Sequence, residues 1–379
     1  LYAGFTPEQI IFNGVAKTVS ELEYAINQGI KSINVDSLFE MKRIIETAKR
    51  LDKKANVTVR FVPEVSTGVV KGNETGTHET KFGVTQDKLV ETIELCLSNK
   101  EYINLHGIHF HIGTQTYHLE SFVEAFQVML REAIYIYEAT GYKAKTLNIG
   151  GGLPVPHFID IEARQYMPYN IYHMFRGVLS TKDIAEKITA ELRPESIAKL
   201  AGDKYSDFFE GCELIIEAGR KVVADAAVLL STVENEKRRD SIDEDWIMID
   251  AGFNTLLEAK TYNWYYHMIC ANKSEEAHTR DIKVAGPCCD SGDVFFDIDY
   301  HKNLPEYRSL PASATPGDII AMLNVGAYGT PNMSNYNGRP KAGVLLIQEN
   351  GTISVSRPGE TYEDLVKMEP KVDELRGNK

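Results

Sequence analysis

The sequence predicts an α/β protein in two parts: a (β/α)8-type barrel over residues 1–226 and a β-sandwich domain, mostly antiparallel, over residues 227–379. Three observations predict this. Through the first two thirds, short β-branched runs alternate with helical patterns, the signature of a parallel sheet with crossover helices. After Arg220 the crossover helices stop and strand-like segments separated by turns take over. Glycine-rich and charged motifs fall where barrel strands would end, the face at which such barrels carry their active sites.

The barrel strands are expected at residues 9–14, 32–37, 56–62, 107–112, 147–151 and 214–217. Ser20 with Glu23 reads as a capping box ahead of a helix carrying Leu22 and Ile26, which Gly29 closes. Ser37 with Glu40 repeats the signal, and Leu38, Met41, Ile44, Ile45 and Ala48 form an apolar stripe behind it. A closed barrel takes eight strands. The chain opens on Leu1-Tyr2-Ala3-Gly4, which reads as a helix end with a glycine stop, so two βα units are expected upstream. Residues 155–200 are too long for an ordinary βα connection and are expected to cover one side of the barrel mouth. In the second part the clearest strands are 246–250, 282–286, 318–323 and 343–347, while the charged run 234–245 reads as a solvated loop.

The bulk numbers narrow the class. At 379 residues there is room for two domains and a large core, and 43% hydrophobic with 25% charged residues is ordinary for a globular protein. A net charge of -13 argues against a nucleic-acid partner, since phosphate backbones recruit clustered Lys and Arg. Five cysteines, with Cys288 and Cys289 adjacent, make no disulfide framework in a chain this long, so a reducing, cytoplasmic setting is expected. No apolar run is long enough to span a bilayer, and no membrane role is expected.

Several motifs carry candidate chemistry, each with a structural alternative. Gly150-Gly151-Gly152 follows the fifth counted strand and Gly219-Arg220 the sixth. With two strands upstream these become the seventh and eighth, where barrels bind phosphate; alone, three glycines read as a tight turn. Glu217, at a strand–loop junction, could pair with a pyridinium nitrogen or form a structural pair with Arg220. His109 and His111 alternate on one strand and so share a face, only one needing to reach a pocket, with Thr114 and Gln115 as polar groups at the mouth. No third ligand is spaced to make the histidines a zinc site, and no metal is expected. Cys288-Cys289-Asp290 reads as core thiols beside a surface acid, or as a proton donor (Cys289) beside a carboxylate for a substrate ammonium (Asp290).

HFHIGTQ (residues 109–115), NIGGGLP (148–154), IEAGR (216–220), GPCCDSGD (286–293) and GAY (326–328) occur in the order and spacing of one family. The whole chain resembles the fold-type III pyridoxal 5'-phosphate (PLP) decarboxylases, whose members include diaminopimelate and ornithine decarboxylases and whose barrel is alanine racemase-like. FNGVAK, LEYAI, INVDSL, GGGLPVP, AGRKVVADAAVLL, VGAY and YNGRP are most similar to the D-ornithine/D-lysine decarboxylases. The resemblance implies that His111 stacks on the cofactor and Glu217 binds its ring nitrogen. It places Thr114, Gly150, Gly151, Gly152, Gly219, Arg220 and Tyr328 around the phosphate or the substrate carboxylate. Cys289 and Asp290 match a pair that enters the neighbouring subunit's site, implying a homodimer with shared active sites. Arg60 and TGTHETKFG (residues 75–83) match a further strand and loop of that barrel.

Glu258 stands where diaminopimelate decarboxylases carry an arginine for the distal carboxylate, and Asp290 where they usually carry glutamate. Exchanging arginine for an acid exchanges a carboxylate partner for an ammonium partner. Ala218 replaces the family's usual proline, a change of loop stiffness rather than chemistry. The lysine that holds the cofactor covalently in the family lies on the first barrel strand, expected before Leu1. The expected activity is PLP-dependent decarboxylation of a basic amino acid, D-lysine or D-ornithine first, to a diamine and CO2. In that reaction Cys289 would return the proton, and Asp290 and Glu258 would hold the distal ammonium. The alternatives are meso-diaminopimelate decarboxylation and a non-catalytic homologue.

Overall fold

Six parallel strands lie side by side in chain order: β1 (Ile11–Phe12), β2 (Ser32–Val35), β3 (Ala55–Arg60), β4 (Ile103–His109), β5 (Thr146–Asn148) and β6 (Glu213–Ile215). A sheet whose spatial order repeats its sequence order is the barrel-like arrangement that right-handed βα crossovers produce. It is seen in a computed structural model that describes residues 1–69, 71–158, 167–298, 303–371 and 375. Two units divide the chain: Leu1–Pro156 with Arg176–Lys221, and His157–Phe175 with Val222–Lys379.

The crossover helices of the first unit bury one face each. In α1 (Val19–Gln28) the cap is Thr18, whose side chain accepts from Glu21 N while the Glu21 carboxylate accepts from Thr18 N at 2.6 Å. The expected Ser20–Glu23 box is therefore two residues late, because Thr18 is the residue with extended backbone; Gly29 closes the helix in the left-handed region at φ 66° as expected. In α2 (Leu38–Leu51) Ser37 caps Glu40 N, but the Glu40 side chain does not return to it. That carboxylate is buried and instead takes Lys17 Nζ at 3.0 Å and Asp36 N at 2.8 Å. Helices α3 (Gln86–Ser98) and α4 (Leu119–Thr140) continue the layer, and Leu22, Ile44, Val57, Leu89, Ile108 and Phe126 meet in its core at 0% exposure. Each such side chain contributes about 1.5–3 kcal/mol relative to leaving it in water.

β4 begins four residues before the expected 107. Its start was hidden by Asn104 and His106, polar residues that face Asn56 on β3, with Asn104 Nδ2 2.9 Å from Asn56 Oδ1. Between residues 155 and 200 lie α5 (Tyr169–Arg176), α6 (Thr181–Glu191) and the start of α7 (Pro194–Ala201), split between the two units, while residues 159–166 lie outside the described residues. A short helix, α8 (Arg220–Val223), follows β6.

The second unit is a separate sheet domain. Its strands are β7 (Leu229–Arg239), β8 (Glu244–Ile249), β9 (Met268–Cys270), β10 (His278–Ala285), β11 (Arg308–Pro311) and β12 (Ile319–Met322), ordered β11-β10-β8-β7-β12-β9. All pair antiparallel except β8 with β10. A hairpin of β13 (Val344–Ile347) and β14 (Ile353–Arg357) stands apart from that sheet, and α9 (Leu257–Thr261) and α10 (Gly329–Asn332) join strands. The charged run 234–245 is not a loop but the β7–β8 hairpin, with Arg238 paired in register to Asp245 at 2.9 Å. Charges on a solvent-facing hairpin neutralise one another across the strands, so charge density did not exclude a strand. Among the described residues no helix is long and apolar enough to cross a membrane.

Candidate active site

The C-terminal ends of the parallel strands converge on one carboxylate. Glu217, just past β6, accepts from Asn34 Nδ2 (2.9 Å) and Asn148 Nδ2 (2.8 Å) on Oε1, and from Asn13 Nδ2 (3.0 Å) on Oε2. Asn13 follows β1, Asn34 lies in β2 and Asn148 ends β5, so one level of the sheet supplies all three donors. Among the described residues no lysine or arginine lies within ion-pair distance of Glu217; only His109 Nε2 approaches, at 3.7 Å from Oε2. A carboxylate presents about four acceptor positions. With two filled on Oε1 and one on Oε2, a further donor finds its place on Oε2.

Both histidines are neutral at pH 7. Burial first, then the Arg60 guanidinium, pushes His111 down to about 4. Burial, followed by Arg60, His111 and Lys17, holds His109 well below the usual histidine range. Gly151 N–H donates to His111 Nδ1 at 2.9 Å, so that nitrogen is the acceptor and Nε2 carries the ring proton. His109 is 1% exposed, and neither of its nitrogens has a hydrogen-bond partner among the described residues. An unsatisfied buried group of this kind costs about 1–3 kcal/mol. Arg60, at the end of β3, is buried 3.7 Å from Asp36 Oδ1 and lies over the Phe82 ring at 4.3 Å.

The glycine loop is held close to this cluster. A Cβ on Gly150 would sit 2.4 Å from Phe110 O, and one on Gly151 would sit 2.4 Å from Glu217 O, so only glycine lets the loop pack here. Gly150 N donates to Asn148 Oδ1 (2.9 Å) and Gly151 N to His111, whereas the Gly152 amide makes no hydrogen bond among the described residues. Thr114 is partly buried, with its amide bonded to Asn73 O at 3.0 Å. Gln115, expected at the mouth, is instead fully buried and pairs with both backbone groups of Val155, at 2.8 and 2.7 Å. It is a strut between two loops, since a carboxamide can replace one step of a strand ladder. Gly219 is exposed and Arg220 is buried at the start of α8. Lys17, the buried lysine at this end of the sheet, is engaged by Gly14 O, Asn34 O and Glu40.

The remaining expected residues fall in the second unit. Cys288 is buried, and burial with Asp293 pushes its thiol up to about 11. Cys289 is exposed, its amide donating to Asn337 Oδ1 at 2.6 Å. Asp290 is exposed and accepts from Gly292 N (2.8 Å) and Tyr336 OH (2.8 Å), bonds that hold its carboxyl below the usual range. Glu258 is buried, with Tyr266 OH 3.3 Å from Oε2. Tyr328 is half-exposed and sits at φ 60°, a strained value for a bulky side chain. Asp293 was in the quoted motif without a role. Its carboxylate, 2% exposed as a residue, binds Phe253 N and Cys288 N at 2.7 Å each, tying the turn that follows Asp250-Ala251-Gly252 to the cysteine loop. The three asparagines were likewise inside quoted motifs; their recurrence at strand ends was the signal.

A carboxylate with one open position, a neutral imidazole and a glycine loop with an amide that is free among the described residues suit a flat heterocycle bearing a ring nitrogen and an anionic arm, and the site fits PLP on that count. Comparison with known proteins agrees. Residues 1–224 match the pyridoxal-binding domain of the pyridoxal-dependent decarboxylases, and the chain belongs to that family. The diaminopimelate decarboxylase of Methanocaldococcus jannaschii is 32% identical over 362 residues, 95% of this chain and 73% of that protein. The Bacillus subtilis diaminopimelate decarboxylase is 30% identical over 370 residues, 97% of this chain and 76% of that one. The crystal structure of the M. jannaschii enzyme with L-lysine superposes with a TM-score of 0.79 at 30% identity, covering 97% of this chain and 75% of that chain. The protein is thus a PLP-dependent carboxy-lyase acting on amino acids. These relatives are diaminopimelate rather than D-ornithine/D-lysine decarboxylases, which corrects the finer resemblance drawn from sequence.

Proposed function

We propose that this chain releases CO2 from a diamino acid, with meso-diaminopimelate, the substrate named for the relatives at 30–32% identity, as the first candidate. The observation that carries the reading is Glu217, a carboxylate oriented by three neutral donors and, among the described residues, with no lysine or arginine at ion-pair distance. Bound PLP supplies an electron-accepting ring that takes up the charge left when CO2 departs. Glu217 would keep the ring nitrogen protonated, and His111 would present a neutral face to the ring. Gly152 N, rather than the engaged amides of Gly150 and Gly151, would meet the phosphate together with Thr114, Gly219 and Tyr328. Arg220 would take the substrate carboxylate, and Cys289 would return a proton to the α-carbon. The assembly would be a cytoplasmic homodimer with shared sites, divided into a cofactor domain to residue 226 and a β domain from residue 227.

A second reading is favoured by one observation. Glu258 is a buried acid, and Asp290 is a second acid; both suit a distal ammonium, as in D-lysine or D-ornithine, better than a distal carboxylate. CO2 release by the whole natural protein with PLP, measured in parallel on meso-diaminopimelate, D-lysine and D-ornithine, separates the two. Turnover of diaminopimelate alone sustains the first reading, turnover of the D-amino acids alone replaces it with the second, and turnover of none refutes both. Lys17 is fully engaged and offers no amine to the cofactor. Borohydride reduction followed by peptide mapping identifies the lysine that does.

A further inference from the structure

The orientation of the three carboxamides is dictated from outside the carboxylate. Asn148 Oδ1 accepts from Gly150 N at 2.9 Å, so only its Nδ2 can face Glu217. Asn34 Nδ2 divides its two hydrogens between Asn13 Oδ1 (2.9 Å) and Glu217 Oε1 (2.9 Å). Accepting that bond turns the Nδ2 of Asn13 toward Glu217 Oε2. Asn34 Oδ1 is left buried with no partner among the described residues, so the side chain keeps its two donor bonds at the expense of its acceptor. Every member is thus a donor toward position 217 and none can flip without breaking a bond elsewhere. All three donors are met on the carboxyl oxygens of Glu217, two on Oε1 and one on Oε2.

We propose that Asn13, Asn34 and Asn148 are positioning residues that fix the plane of the Glu217 carboxyl and leave one acceptor position on Oε2 for the ring nitrogen of the cofactor. This rests on the reading that Glu217 meets that nitrogen. Neutral donors suit the task because they orient the carboxylate without cancelling the charge that a protonated ring needs opposite it. The three carboxamides therefore tune how firmly the ring is held and how fully it stays protonated, while touching neither substrate nor reacting atoms.

Asn148→Asp gives a pH-switched test. A protonated aspartic acid reproduces the pattern, one oxygen accepting from Gly150 N and the O–H donating to Glu217; ionised, it donates nothing and repels. The readouts are PLP affinity by fluorescence titration, the visible absorption band of the bound cofactor, and the melting temperature of the apoprotein, each measured at about pH 5.5 and 8. Relative to wild type, the PLP affinity of N148D should fall about tenfold more between those pH values, one lost charge-assisted bond, with a shifted absorption band. Asn13→Ala, at an exposed position, should weaken PLP about tenfold at both pH values with the apoprotein melting unchanged. It also keeps the proposal testable if N148D does not fold. Wild-type affinity and absorption in N148D at both pH values, or in N13A, would overturn the proposal, as would losses that only follow a lowered melting temperature. Glu217→Gln separates the two claims. If it leaves cofactor spectrum and activity intact, the assignment of Glu217 itself fails; if it abolishes them while the asparagine variants behave as wild type, only the positioning role fails.

Discussion

The two ends of the parallel sheet carry similar side chains and use them in opposite ways. Where the strands begin, Asn56, Asn104 and His106 bond to one another, and Glu213 is closed off by Lys31 Nζ at 2.5 Å. Where they finish, Asn13, Asn34 and Asn148 surround Glu217, and the buried lysine of that end, Lys17, is matched by Glu40 instead. An ion pair uses up a charge, while a ring of carboxamides orients a charge and leaves it available. The same residue types thus make a structural plug at one end and, in the proposed function, a cofactor partner at the other, and the deciding difference is where the lysine goes.

The largest effect should come from disturbing that lysine. Glu40→Gln leaves the Lys17 ammonium buried without a counter-charge, and chemical denaturation should show a loss of about 3–5 kcal/mol. Adding Lys17→Met should return much of it; if E40Q alone is neutral, the lysine is not withheld in the way described. Next, Glu217→Gln puts an amide nitrogen among three N–H donors and removes the counter-charge proposed for the ring. CO2 release should drop about 10²–10³-fold, the scale of losing one preorganised electrostatic partner at a reacting centre. Near-wild-type turnover would equate the two ends.

Protonation of the histidines gives a third, graded test. His111 is held at about 4 in the folded chain, below its unfolded value near 6.5. As pH falls below about 6.5 the unfolded state therefore takes up the proton first, and stability drops until about pH 4, by up to about 3 kcal/mol. His111→Gln should flatten that part of the stability–pH curve. His106, also lowered by burial but partly offset by Glu213, should matter less, so His106→Gln should flatten it by a smaller amount. Equal slopes would remove the distinction. The smallest effect belongs to Lys31→Met, which breaks an ion pair with Glu213 about half exposed: at most about 1 kcal/mol by thermal melting, with decarboxylation unchanged.

Much of this was legible in the residues. Period and caps marked the βα alternation, because a helix that buries one face against a sheet must write Met41, Ile44, Ile45 and Ala48 at helical spacing. Glycine at 150 and 151 was legible because no other residue tolerates the contacts there. The misreadings share one cause. The β4 start, the β7–β8 hairpin, Gln115 and the true cap of α1 each depend on what a polar side chain bonds to, and a polar residue reads as exposed until its partner is known.

Sequence by itself pointed to the family and the cofactor through the resemblance its motifs carry, and to the strand ends at which polar residues gather, since local spacing encodes backbone turns, apolar faces and glycine contacts. Only the tertiary structure decided which of those polar residues act on one another. Asn13, Asn34, Asn148 and Glu217 are far apart in the chain, and what unites them is the single level at which parallel strands in register bring their ends together. Hydrogen-bond direction, fixed at Gly150 N and passed through a carboxamide, then makes one carboxylate open and another closed.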